Sequence, residues 1–166
     1  MSTYFRKVQN ENFEPESSIW TRNAVTSLKT GILNENGTTS IFLNEHFFYD
    51  DRARVIQTQK QNHLAGQDIT TNQYNFVAWL LKSKRQHTAT VQGNAQSYTI
   101  LEEYEYDHAG RETGMHHTIN SNDRIYVCEK DYDERDLLLQ KKLHQTSGFG
   151  GDFLQYVDYR YNIRNW

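Results

Sequence analysis

The chain has 166 residues, enough for one domain with a core, and its composition gives no sign of a second. Its 18 Lys and Arg are scattered among 21 Asp and Glu for a net charge of −3. A nucleic-acid or anionic-membrane surface needs a basic patch or stripe, so neither is expected as a partner. No apolar stretch approaches the length of a membrane span, the start "MSTYFRKVQNENF" lacks the apolar core of a signal peptide, and Cys128 alone cannot form an internal disulfide.

With 36% hydrophobic and 13% aromatic residues, burial must lean on rings that alternate with polar residues, which suits half-buried strands better than a helical bundle. Residues 1–24 read as an irregular segment around Trp20. Beyond it, "AVTSLKTGIL" and "SIFLNEHFFY" flank "NENGTT", a hairpin with its turn at Asn36-Gly37. A second turn, Asp50 to Ala53, joins "EHFFY" to "RVIQTQKQ". "NHLAGQD" reads as a loop into "ITTNQYNF" and "AWLLKSKRQ", and "VQGNAQ" as a turn into "SYTILEEYEY". "NSND" precedes "RIYVCEKDY", "LLLQKKLHQ" returns, and "SGFGGD" links it to "FLQYVDYRYN". No window carries a helical stripe of apolar residues at i, i+3, i+4 and i+7, so the chain is expected to be all-β.

Within this pattern "YEYDHAGRE" spells out a hairpin turn. Asp107 can accept from backbone N–H groups two residues on, and Gly110 supplies the positive φ that a three-residue loop needs for its bulge, before Arg111 opens the returning strand. Partial copies follow the same rule: Tyr49-Asp50 before Ala53, Tyr74-Asn75 before Ala78, Tyr106-Asp107 before Gly110, Tyr132-Asp133 before Asp136, and Tyr161-Asn162 before Asn165. Their tyrosines are spaced 74−49 = 25, 106−74 = 32, 132−106 = 26 and 161−132 = 29 residues apart. Periods of about 20 to 50 residues mark repeat architectures, in which each unit buries its apolar face only against its neighbours. Residues 25–166 therefore read as one array of antiparallel hairpins. Only one copy carries glycine at the turn position; Asn and Asp tolerate a left-handed backbone there, whereas Ala costs about 1 kcal/mol.

Tyr-Asp-x-x-Gly-Arg at this spacing resembles the YD repeat of the RHS family, the large bacterial cell-surface and toxin-delivery proteins. The strings "YDDRARVIQTQKQNHLAGQD", "QYNFVAWLLKSK", "YEYDHAGRE", "KKLHQ" and "FLQYVDYRYNIRNW" are similar to a stretch of RHS proteins common in Bacteroidetes, and the likeness covers roughly Val25 to Trp166. The resemblance implies hairpins laid side by side in a continuous, spiralling sheet that forms part of a hollow shell around a C-terminal toxin domain. It implies secretion or display at the cell surface, with the remaining repeats and that C-terminal domain of a longer parent as partners. The family's self-cleavage motif, an Asp-Pro followed by glycine-spaced residues, is absent, since Glu14 precedes Pro15, the one proline. Glu112 stands where the family pattern usually has an apolar residue.

No catalytic, cofactor or metal site is read from the residues. His116 and His117 are adjacent in a strand and point to opposite faces, so they cannot bind one ion from one side. "SGFGGD" has no lysine after it and no helix to supply a dipole, which leaves a linker rather than a phosphate cradle. Each repeat Asp already has a turn to cap. The expected function is a non-catalytic segment of a shell; the alternative is a carbohydrate-binding adhesion module whose outward Tyr and Trp rings stack on sugars, and the strand edges are expected to allow self-association.

Overall fold

The computed structural model describes residues 17–19, 21, 23–146 and 151–162. Its strands are β1 (Ser27–Leu33), β2 (Thr39–Tyr49), β3 (Val55–Gln61), β4 (Gln67–Tyr74), β5 (Leu80–Val91), β6 (Asn94–Tyr106), β7 (Glu112–Ile119), β8 (Ile125–Tyr132), β9 (Leu138–Gln145) and β10 (Phe153–Asp158). They form a single open antiparallel sheet in which every strand pairs with the next in the chain, and no helix occurs among the described residues. β1 and β10 are its edges. Consecutive pairing follows from the short connections, which leave each strand no route except back along its predecessor.

The turns gather at the two ends of the strands. At one end lie Asp50–Arg54, Asn75–Trp79, Asp107–Arg111 and Asp133–Leu137, each with a register shift beside it in the ladder, between Phe48 and Tyr49, Gln73 and Tyr74, Glu105 and Tyr106, and Asp131 and Tyr132. At the other end β5 and β6 join through Gln92-Gly93, where φ is 50° and 80°, a two-residue turn whose twist matches that of the strands. The hairpin placed by sequence at Asn36-Gly37 turns earlier. Asn34 opens it by donating to Thr38 O, and Gly37 takes the left-handed position at φ 73°. "NHLAGQD" is likewise a tight turn rather than a loop: the Asn62 N–H donates to Gly66 O, and Ala65 has φ 53°. Gly66 is required by close approach, since a Cβ there would lie 1.8 Å from Thr88 O of β5.

The apolar core is small. Among the described residues only Ile56, Ala89 and Cys128 are buried hydrophobic side chains, while Gln57, Gln59, Thr71 and His116 are buried polar ones. These are satisfied within the sheet: Gln57 Nε2 donates to Thr71 Oγ1 at 3.0 Å, and Gln59 Nε2 to Gln57 Oε1 at 2.7 Å. Cross-strand contacts carry the fold instead. Gly114 shows how local they are, because the Glu105 carboxylate and the Tyr126 ring lie over its Cα, 3.0 and 3.3 Å from where a Cβ would stand.

Candidate functional site

The recurring chemistry of the chain is concentrated at the strand end that carries the Tyr-Asx turns. In each described turn the Asx side chain stands in for a missing strand. Asp50 Oδ1 accepts from the Arg52 and Arg54 N–H groups, both at 2.9 Å; Asp107 Oδ1 from Ala109 and Arg111 at 2.9 and 3.0 Å; and Asp133 Oδ1 from Arg135 and Leu137 at 2.8 and 2.9 Å. Asn75 Oδ1 accepts from Trp79 N at 2.8 Å. The left-handed residue follows in all four: Ala53 at φ 60°, Ala78 at 71°, Gly110 at 86° and Asp136 at 64°.

The choice between Asp and Asn tracks the neighbouring charge. Arg54 Nε donates to Asp50 Oδ2 and Arg111 Nε to Asp107 Oδ2, both at 2.6 Å, and Arg135 Nη2 reaches Asp133 Oδ2 at 2.8 Å. Asn75, with Val77 and Trp79 in the corresponding places, has no such cation within its turn. Burial opposes the charge of Asp50, but hydrogen bonds from the Arg54 backbone and guanidinium and from the Arg52 N–H outweigh it and hold the carboxyl below its ordinary range. Asp107 is held low in the same way, against desolvation, by Arg111 and the Ala109 N–H. For Asp133 the Leu137 N–H is the leading cause of the lowering.

The tyrosines have a job that does not show in the turn itself. Tyr49 Oη donates to Val25 O at 2.7 Å, Tyr74 to Val55 O at 3.2 Å, Tyr106 to Leu80 O at 2.9 Å, Tyr132 to Glu112 O at 3.0 Å and Tyr161 to Leu138 O at 3.0 Å. From the second onward, the acceptor stands six residues after the preceding tyrosine: 55−49, 80−74, 112−106 and 138−132. Each hydroxyl therefore reaches the start of the neighbouring strand and fastens the point where the chain leaves the previous turn. Glu112 fits this scheme, because its backbone carbonyl receives Tyr132 while its carboxylate accepts from Lys130 Nζ at 2.7 Å.

A second link runs beside each hydroxyl. The guanidinium of Arg54 lies 5.0 Å above the Tyr74 ring and donates to Asn75 O at 2.9 Å, and that of Arg111 lies 4.8 Å above Tyr132 and donates to Asp133 O at 3.2 Å. Between them Trp79 packs against Tyr106 with ring centroids 5.2 Å apart. After Ala53, Ala78 and Gly110 the following side chain thus covers the tyrosine of the next turn. Tyr161 and Asn162 stand at the end of the described residues, and Asn165 lies outside them, as do Trp20 and most of "SGFGGD".

Sequence reasoning missed the Asx caps of two connections that it had placed, and a third turn altogether. Asn34 and Asn62 make the same Asx contacts, through Oδ1 to Asn36 and Thr38 and to Leu64 and Gly66, without a preceding tyrosine. Their signal is Asn followed three residues later by Gly or Ala. The third lies in the segment read as irregular. "IWTRNAV" aligns with "YDDRARV", Asn23 has φ 64° in the place of Ala53, and Val25, in the place of Val55, is the acceptor of Tyr49. The two hallmark residues are replaced by Ile19 and Trp20, which hid it.

The remaining candidates fall elsewhere. His116 is buried against Tyr126, with ring centroids 3.6 Å apart and Nε2 2.8 Å from Glu105 Oε1, while His117 lines an open depression with Ile119, Ser121 and Asp123. Cys128 is buried in β8, and burial pushes its thiol pKa up. What the geometry defines is an all-β protein of antiparallel hairpins coupled at their turns. In comparison with known proteins, the chain matches no family model and no curated relative.

Proposed function

We propose that the chain is a non-catalytic structural segment of the RHS/YD-repeat kind, a hairpin array that contributes to a β-shell enclosing or displaying other domains of a secreted or cell-surface parent. The observation that carries this reading is the six-residue rule, by which each tyrosine hydroxyl is spent on the exit of the preceding turn. Such a contact couples each unit to its neighbour only, so the array can extend without a central core and can curve around a cavity. The functional side chains are consumed by assembly: each described repeat Asp caps its own turn and each repeat Tyr clamps a neighbour. The carbohydrate-binding alternative requires a contiguous platform of outward rings. Of the exposed rings Phe42, Phe76, Tyr98, Tyr156 and Tyr159, only the last two are close in sequence and the others stand on separate strands or turns, which favours the shell.

The test uses the protein as its own cells produce it, tagged at its locus, purified, imaged by negative-stain electron microscopy and subjected to limited proteolysis. A hollow particle in which a second domain resists protease until the particle is opened is the expected result. A solid particle that binds a glycan column would favour the adhesion module instead.

A further inference from the structure

The turn position holds Ala53, Ala78, Gly110 and Asp136, and local turn chemistry gives no reason for the change from alanine to glycine and then to aspartate. The neighbouring hairpin does. A Cβ on Gly110 would lie 2.4 Å from Cζ2 of Trp79 and 3.0 Å from Cη2, both atoms of the rigid indole that packs on Tyr106. Any larger residue at 110 would displace that ring from the tyrosine it covers. Asp136, in contrast, faces a cation: Arg111 Nη1 reaches its Oδ1 at 2.6 Å while lying over the Tyr132 ring. Before Ala78 stands Arg54, whose guanidinium goes to Asn75 O and Tyr74 and places no ring over the turn.

We propose that the side chain after the left-handed residue of one turn and the left-handed residue of the next turn form a matched pair, Arg54 with Ala78, Trp79 with Gly110 and Arg111 with Asp136, and that, where two copies of the chain meet, these pairs decide which hairpin of one copy can take the place of a neighbour in the other. The backbone clamps cannot do this. A tyrosine hydroxyl donating to a carbonyl is the same in every repeat, so in a domain swap any hairpin of a second copy would be accepted as a neighbour. The matched pairs remove that degeneracy. Trp79 fits only over a turn without a Cβ, whereas a hairpin bearing Asp136 placed beside Trp79 would meet a clash and leave its carboxylate without the guanidinium. This selectivity does not depend on whether the array belongs to a shell.

A double-mutant cycle tests it. Gly110→Ala is expected to lower the melting temperature by about 5–10 °C, from overpacking against the indole plus the left-handed penalty. Trp79→Arg alone should move it by no more than about 3 °C, because an arginine there can lie on Tyr106 as Arg54 lies on Tyr74. The double variant, which reproduces the Arg54–Ala78 pair, should recover at least half of the loss; the left-handed penalty is common to both backgrounds and cancels in the cycle. Arg111→Trp with Asp136→Gly repeats the test at the next pair, where the glycine should relieve the tryptophan. Strict additivity in both cycles, or a double variant no better folded than Gly110→Ala, would overturn the proposal. Size-exclusion chromatography supplies a second readout, since mismatched single variants should populate swapped dimers and the matched doubles should not.

Discussion

At the residue scale, the turns divide into what is local and what is not. Asp107 and Gly110 are legible in "YEYDHAGRE" because an Asx cap and a left-handed residue act within five residues. The clamp of Tyr106 on Leu80 is not, because its acceptor lies 26 residues away and is a backbone atom that any side chain would supply. Gly110 is explained only in part by its φ of 86°, the rest being Trp79 overhead. Ala53 and Ala78 sit at φ 60° and 71°, so Ala53→Gly and Ala78→Gly should each stabilise the protein by about 0.5–1 kcal/mol in thermal melts, net of glycine's freedom in the unfolded chain.

The repeat carboxylates also set a pH dependence. Because the Asp50 pKa lies below the ordinary aspartate value of 3.8 in the fold, the contribution it makes is complete above that pH and is lost as pH falls through the folded value. Asn in its place keeps the acceptor for the backbone but loses the charge facing Arg54. Asp50→Asn should therefore cost about 1 kcal/mol near pH 7 and progressively less towards pH 2, as the wild-type carboxyl takes up its proton. Melting curves at the two pH values check this; a cost that stays constant would remove the ion pair from the account.

At the scale of elements, strand positions followed from alternation and turn residues, while turn boundaries did not always follow. Asn-Gly at 36–37 has the look of a two-residue hairpin, yet Asn34 captures the N–H groups of Asn36 and Thr38 and makes the loop longer. The edges carry the clearest consequence. Among the described residues β1 and β10 each have a strand on one side only, and β10 is short, with Leu154 and Tyr156 exposed. A backbone row of this kind recruits another strand. The chain should self-associate in light scattering across a concentration series, and Leu154→Lys, which adds a charge beside that edge, should weaken the association several-fold. A chain that stays monomeric, with the lysine variant indistinguishable, would mean that the edge is already covered.

At the scale of the whole molecule, a ten-stranded meander with so few buried apolar side chains cannot be held as a globular domain is, by one shared core. Its order is carried forward from turn to turn by a hydroxyl worth about 1 kcal/mol and a ring or guanidinium stacked beside it. The 25- to 32-residue spacing made the repetition visible in the sequence, but the direction of the coupling, each tyrosine reaching back to the unit before it, required the register. The most direct test is hydrogen exchange on Tyr106→Phe, which removes one clamp and leaves the ring against Trp79. Protection should fall in the strands that meet at that clamp, β5 to β7, and remain near wild type in β1–β3 and in β9. Uniform loss across all ten strands would show that the sheet is stabilised as a single cooperative core and would contradict the account.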